Sequence, residues 1–271
     1  MIARTTLDSA VRDTIFAGKL HHFATIDSTN THALREAAAG APSGSVYFAD
    51  EQTAGRGRGS HTWHSEPGSG LYVSVILRPQ LAAAQALWLS FAAGLAVHTA
   101  VREVTGIAPD IRWPNDLLLP EHGVNKKFCG ILTEMQNDGD RVRHAVTGLG
   151  INVNHTAFPP ELAPLATSLR LVSGQSWDRL LLLAELLTAL DEELRDLESS
   201  IPTGVTLLTR VERASTWVRG KRVHIEESAE AAEPGGYHGV TAGLDPRGFL
   251  LVDTLTGRRT VLSGGVRETK E

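Results

Sequence analysis

Cysteine is nearly absent. Cys129 is the single one in 271 residues, so no internal disulfide can form, and the composition fits a reducing compartment. An excess of positive charge is also missing. Twenty-six lysines and arginines face 31 aspartates and glutamates, for a formal net charge of −5. Nothing global therefore attracts nucleic acid, and any anion site must be local. Uninterrupted apolar runs are lacking too. The first twenty residues carry Asp8, Arg12, Asp13 and Lys19 and have no signal-peptide core. The most apolar stretch, residues 81–104, is broken by Gln85, His98, Arg102 and Glu103 and reads as a buried helix rather than a membrane span. A cytoplasmic address with no membrane partner is the expectation.

What is present describes an ordinary globular chain, 42% hydrophobic and 21% charged. Residues 1–22 give weak helical signals. "DSTNTHALREAAAG" opens on the cap-forming Asp27, Ser28 and Thr29 and continues with helix formers to Gly40. "GSVYFADEQ" and "GLYVSVILRP" read as strands, and a long helix is expected from about Ala82 to Val104. Three strand-like runs follow, "DIRWPNDLLL", "KKFCGILTEMQ" and "RHAVTGLGINVN", separated by the turn-rich "PEHGVN" and "NDGD". "WDRLLLLAELLTALDEELRDLE" sets leucines on one helical face, with Glu192, Glu193, Asp196 and Glu198 read as a solvated face. Beyond the stretch 216–220 the texture changes to short β-like runs separated by "EPGG", "DPRG" and "TGR", the pattern of a small barrel.

The stretch "DEQTAGRGRGSHTWHS" poses the sharpest question. Its glycines allow backbone conformations and close approaches barred to other residues, and Arg56 and Arg58 add planar charged forks suited to carboxylate or phosphate. It is not a Walker A loop, because no Gly-Lys-Ser/Thr follows, nor a dinucleotide fingerprint. By itself it fits a solvated hairpin as well as an anion site. His61 and His64 could ligate zinc, but no cysteine or other histidine pair completes a set. "RWPND" couples Trp113-Pro114, an extended kink, to Asn115 and Asp116, or simply sets a core tryptophan beside a turn. In "KKFCGILTE", Gly130 inside a strand can mark a ligand's close approach. Lys127 can equally be a strand-start charge, and Cys129 lacks the partners of a nucleophile.

Taken in order, "DSTN", "EQTAGRGRG…W", "GLYVSVILRP", "RWPNDLLL", "KKFCGIL.E" and "GLGINVN" resemble the biotin protein ligases, also called holocarboxylase synthetases. The resemblance covers nearly all of residues 23–170 and extends to the small C-terminal barrel. It implies an α+β fold: a mixed sheet with flanking helices, like that of class II aminoacyl-tRNA synthetases, followed by an SH3-like barrel. The implied divisions are an N-terminal extension (1–22), a catalytic domain (23–216) and the barrel (217–271), without an N-terminal DNA-binding domain. The implied reaction activates biotin with ATP and Mg²⁺ as biotinyl-5′-AMP, then transfers it to a lysine of a biotin carboxyl carrier protein. The carrier must be a separate chain, since neither Met1 nor Met135 flanks a lysine as in a carrier's Met-Lys-Met segment.

By the same resemblance, Ser28, Thr29, Asn30 and Gln52 contact biotin, whose buried ureido ring needs donors and acceptors placed together. Arg56, Gly57 and Arg58 belong to the loop that orders over biotin and the adenylate phosphate. Lys127 stands at the reacting carboxylate and phosphate, and Gly130 completes the biotin pocket. Asn115 and Asp116 lie near the phosphates, and Asn152 near adenine. No protein-held metal is implied, since Mg²⁺ arrives with ATP. The chain departs from the pattern at Ser60-His61, where Gly-Arg is frequent, and at Arg112, where lysine is usual. Rival readings are a lipoate or octanoate ligase, a biotin-responsive repressor and a catalytically silent biotin-binding module. "DSTN", the short N-terminus and the intact Lys127, Arg56 and Arg58 argue against them in turn.

Overall fold

Strand-forming runs between Leu20 and Asn152 build a seven-stranded mixed sheet in a computed structural model that describes residues 4–59, 61–200, 205–226 and 236–269. Ser60 and most of the "EPGG" turn lie outside the described residues. After a short helix, α1 (Arg4–Ala10), come β1 (Leu20–Ile26), α2 (Thr29–Ala38), β2 (Val46–Gln52) and β3 (Gly70–Leu77). Strand β1 pairs parallel to β2, with α2 as the crossover that a parallel pair requires. "LHHFATI" gives no clean alternation because β1 is the sheet's edge. His21 stacks on Tyr47 and His22 on Phe48, each pair with ring centroids 4.9 Å apart. Every residue of β3 is buried, as expected of a strand covered on both faces.

Helix α3 (Leu87–Thr105) begins later than its composition suggests, because Ala83–Gln85 form a separate 3₁₀ turn. It ends where Gly106 takes the left-handed conformation (φ 73°) that caps helices cheaply. Trp88 and Phe91 are fully buried on it, each worth about 1.5–3 kcal/mol in removed apolar surface. The helix is long and apolar enough to cross a membrane, yet it packs against the sheet and α5 (Arg179–Ser200) as core.

"DIRWPNDLLL" is not one strand but a hairpin, β4 (Asp110–Arg112) and β5 (Asp116–Glu121), turning over residues 113–115. Pro114 has no N–H to give a ladder, so the chain turns there. The Trp113–Pro114 bond is cis. Strands β6 (Val124–Asp138) and β7 (Arg141–Asn152) complete the order β1-β2-β3-β7-β6-β5-β4, and all pairs beyond β1·β2 are antiparallel.

The acidic face of α5 needs correction. Glu193 is buried and paired with Arg210 of α6 (Val205–Arg213), a helix that the sequence patterns above do not identify. Burial lifts the Glu193 carboxyl above its usual range despite Arg210. Beyond a five-residue helix, α4 (Leu169–Ser173), and α5–α6, strands β8 (Arg219–Glu226), β9 (Tyr237–Leu244), β10 (Leu250–Thr254), β11 (Gly257–Val261) and β12 (Gly265–Glu268) form a small antiparallel sheet in the order β11-β10-β9-β8-β12. Its β9–β10 turn docks on the main core: the Trp113 indole donates to the Gly248 carbonyl at 3.0 Å. The α+β expectation thus holds, with helices flanking a mixed sheet and a separate small antiparallel sheet after it.

Candidate active site

One face of the large sheet carries α3 and α5; α2 covers only part of the other, and the cleft opens beside its N-terminus. Strand registry shows how the floor is made. Tyr72, Gly150, Gly130 and Asp116 pair across β3, β7, β6 and β5 in one row, and Ser74, Gly148 and Leu132 in the next. Side chains in such rows share a face, so the glycines leave a trough. The trough is occupied closely. A Cβ at Gly150 would lie 2.5 Å from Cε2 of Trp63, and one at Gly148 would lie 2.6 Å from Oδ1 of Asn30. The Trp63 ring fills the space over Gly150, and the Asn30 amide, held by Ser74 and Glu134, fills that over Gly148, so a side chain at either glycine would force its neighbour to move.

The end of α2 supplies the polar wall. Ser28 is the N-cap, accepting from Thr31 N–H, and Thr29 and Asn30 follow on the first turn. Thr29 donates to Gln52 Oε1 through both its N–H (2.9 Å) and its hydroxyl (3.0 Å). Ser74 Oγ lies 2.9 Å from Thr29 Oγ1 and 3.2 Å from Asn30 Oδ1. Asn30 Nδ2 donates to Glu134 at 2.6 Å. Ser28, Thr29, Asn30 and Ser74 are all buried, and buried polar groups linked this way hold one geometry.

Lys127 reaches the floor because β6 is irregular. Residues 127 and 130 differ by an odd number and would face opposite sides of a regular strand. The register against β5 shifts so that Leu117 pairs with Cys129 and Leu118 with Lys127, leaving Phe128 as an extra residue. This bulge re-aims Lys127 so that its chain runs over Gly130. Its Nζ sits 2.6 Å from Asp116 Oδ1 and 5.3 Å from the Trp63 ring centroid. Arg112 holds the other oxygen of Asp116 at 2.7 Å. Burial alone would raise the Asp116 carboxyl, but Lys127 and Arg112 overcome it and keep the group below the usual range.

The glycine–arginine loop forms the remaining wall, folded on itself as a small hairpin: Gly57 N–H donates to His61 O (2.8 Å) and Trp63 N–H to Gly55 O (2.9 Å). Its arginines part ways. Arg56 makes a two-pronged pair with Glu134 at 3.0 and 2.9 Å. Arg58 instead donates to the carbonyl of Gly264, between β11 and β12, at 2.9 Å.

The free space left in the cleft is only about 40 Å³, because the Trp63 ring and the Lys127 chain lie over the glycines of its floor. The structure brings Ser28, Thr29, Asn30 and Gln52 to its polar side, and Arg56, Gly57, Arg58, Asn115, Lys127 and Gly130 to its charged side. Asn115 is anchored by donating to the Ile131 carbonyl at 2.7 Å. Asp116 stands behind Lys127 instead of lining the space. Asn152 is buried outside the lining, its amide given to the Thr167 carbonyl at 3.0 Å. Among the described residues no three His, Cys, Asp or Glu side chains converge to hold a metal. His64 packs against His155 and Phe158 instead, with ring centroids 5.9 and 6.1 Å away. Cys129 is buried, and burial pushes its thiol far above the usual range, leaving it inert as a nucleophile.

Sequence reasoning missed Trp63, Ser74, Gly148 and Gly150 in the lining of the cleft, and Glu134 outside it, where it braces Arg56 and Asn30. Their signals were present. Ser74 is the lone polar residue in an apolar strand, Gly148 and Gly150 share a strand face two residues apart, and Glu134 sits four residues beyond Gly130 on the same face.

A seven-stranded sheet with a glycine trough, a capped helix end and an arginine loop defines a class, and the family model for the biotin/lipoate A/B protein ligase family matches residues 22–152. The bifunctional ligase/repressor BirA of Bacillus spizizenii is 37% identical over 245 residues, covering 89% of this chain and 71% of its own. The biotin–[acetyl-CoA-carboxylase] ligase of Mycobacterium tuberculosis is 34% identical, covering 88% and 84%. Among solved structures, the biotin protein ligase of Aquifex aeolicus in complex with biotin and ATP superposes with a TM-score of 0.76 at 30% identity, covering 93% of this chain and all of that one. The chain belongs to this family, on its biotin protein ligase branch.

Proposed function

We propose that this cleft binds biotin and ATP, joins them as biotinyl-5′-AMP, and passes the biotinyl group to a lysine of a biotin carboxyl carrier protein in the cytoplasm. The carrying observation is the convergence of Lys127, Arg56 and Arg58, from a strand and a loop, beside the neutral hydrogen-bonding wall of Ser28, Thr29, Asn30 and Gln52. Such a wall suits an uncharged ring and such cations suit a carboxylate and a phosphate, so one molecule with both ends fits both sides.

In the first step an oxygen of biotin's carboxylate attacks the α-phosphorus of ATP. The bond to the bridging oxygen breaks, and pyrophosphate leaves with its electron pair. Lys127, preset by Asp116, stabilises charge growing on the α-phosphoryl oxygens. With Thr29, Asn30 and Ser74 bonded to one another or to neighbours, the Ser28 hydroxyl and the Gln52 amide N–H groups remain to meet the ureido carbonyl. In the second step the neutral amine of the carrier lysine attacks the acyl carbon, AMP leaves, and the amine loses a proton. Asp116 is spent on Lys127 and Arg112 and offers no free carboxylate cage, so Mg²⁺ belongs to the incoming ATP. Asn152, at the end of β7, is placed on the adenine side by this reading.

Biotin-dependent exchange of labelled pyrophosphate into ATP, without carrier, tests the reading. Exchange with biotin and none with lipoate is the expected result; exchange with lipoate alone would replace the substrate.

A further inference from the structure

Glu134 has no part in the chemistry above, yet it joins the two walls of the cleft. It lies mid-strand on β6, on the face of Gly130 and Leu132, and accepts three hydrogen bonds: two from Arg56 (3.0 and 2.9 Å) and one from Asn30 (2.6 Å). Its side chain is 29% exposed and that of Arg56 is 42% exposed. An exposed ion pair by itself contributes little. This one differs because it is two-pronged and because a buried amide shares the carboxylate.

Consider what the pair holds. The two arms of the loop, residues 55–59 and 61–63, are tied as a hairpin by their own backbone bonds and by an Arg56–Thr62 bridge. Pinning Arg56 therefore pins the hairpin as a unit, and with it the Trp63 indole above Gly130 and Gly150. On the other side, Glu134 takes the Nδ2 end of Asn30, leaving Oδ1 toward Ser74, which fixes how the α2 wall presents itself. Of the three cations at the cleft, Arg56 and Lys127 already face carboxylates, whereas Arg58, among the described residues, meets a carbonyl.

We infer that Glu134 is a positioning residue: a fixed counterion that latches Arg56 and its hairpin over the cleft before any ligand arrives and holds the Asn30 amide in place within the α2 wall. Arg56 is then scaffold as much as ligand contact, and Arg58 is the arginine left to meet the incoming anion. This rests on the biotin-ligase reading for its kinetic consequence, but the latch itself concerns the ligand-free protein.

The experiment is limited trypsin digestion of the ligand-free enzyme, following cleavage after Arg56 and Arg58 by mass spectrometry, for the parent, Glu134→Gln and Glu134→Asp. Losing the charge should speed cleavage about tenfold, with Glu134→Asp intermediate and the thermal midpoint nearly unchanged. In pyrophosphate exchange Glu134→Gln should raise the KM for biotin about tenfold while kcat at saturation stays within about twofold, since the group touches no reacting atom. Equal cleavage and equal KM in parent and Glu134→Gln would overturn the latch. Should Glu134→Gln fail to fold, the parent decides alone. Its cleavage, normalised to a small arginyl ester in the same buffers, should rise several-fold between about 0.05 and 1 M KCl as the pair is screened. A flat salt response would dismiss the proposal. If cleavage responds while no biotin exchange is found in any form, the latch stands and the substrate assignment falls.

Discussion

The floor of the cleft and its loop wall are built by opposite means. The floor is paired strand, with Ser74, Gly148 and Gly150 buried or hemmed in, and Asn30 and Thr29 locked to it by hydrogen bonds inside the protein. The wall from Gly55 to Pro67 rests on its own hairpin bonds, one partly exposed ion pair at Arg56, and one carbonyl contact at Arg58. A floor held that way stays fixed whether or not the loop above it moves. A wall held by exchangeable polar contacts can open at small cost, because water replaces what it loses. The sheet therefore supplies the fixed surface of the cleft and the loop the movable one.

The largest effect should come from the floor's cation. Replacing Lys127 with alanine should slow biotin-dependent pyrophosphate exchange about a hundredfold, roughly 3 kcal/mol of barrier, with the fold intact. An unchanged rate would make Lys127 a bystander and move the chemistry to the wall.

Acid should next attack the root of the wall. His155 is fully buried, neither ring nitrogen has a partner among the described residues, and burial pushes it down to about 4. Its folded-state value lies below the unfolded value of about 6.5, so the unfolded chain takes up the proton first. The neutral ring's contribution is complete above about pH 6.5 and drains away as pH falls toward 4, by about 2–3 kcal/mol. Denaturant titrations at pH 7, 5.5 and 4 would show it, and His155→Phe should flatten the slope. An identical slope in that variant would clear His155.

A smaller change sharpens the floor's claim to shape. Gly148→Ala sets a methyl 2.6 Å from the Asn30 carbonyl oxygen, and Asn30 is held on a buried helix turn. Crowding of this kind costs about 2 kcal/mol, so biotin affinity by calorimetry should fall roughly thirtyfold. Unaltered affinity would mean that the floor yields as readily as the wall.

The smallest effect belongs to the wall. Arg58→Gly removes one charge-assisted contact, about 1 kcal/mol where solvent competes, and frees the backbone at that position. Adenylate should still form but escape, so a bystander such as albumin should be biotinylated several-fold more than by the parent at matched synthesis. Equal labelling would leave Arg58 without a retaining role.

Much of this protein was legible beforehand. Strand runs, the α2 cap at Ser28 and the loop's composition are local properties, set by propensity and by side chains within a few residues of each other. The same is true of the order of blocks, which alone pointed to the family. Where local rules failed, a distant partner had decided. Edge strand β1 is ordered by β2 and α2, and "DIRWPND" folds into a hairpin against β6. Glu193, expected in solvent, is buried under Arg210 of α6. The sequence by itself determined which chemical groups the chain owns and which segments could be helix or strand, because those follow from residue type and near neighbours. Tertiary structure alone decided that Lys127 shares a face with Gly130, through one extra residue in β6. It also decided that Glu134 meets Arg56 across 78 positions, and that Arg58 reaches a carbonyl 206 residues away. Contacts so remote in sequence depend on strand register and packing, which no local pattern encodes.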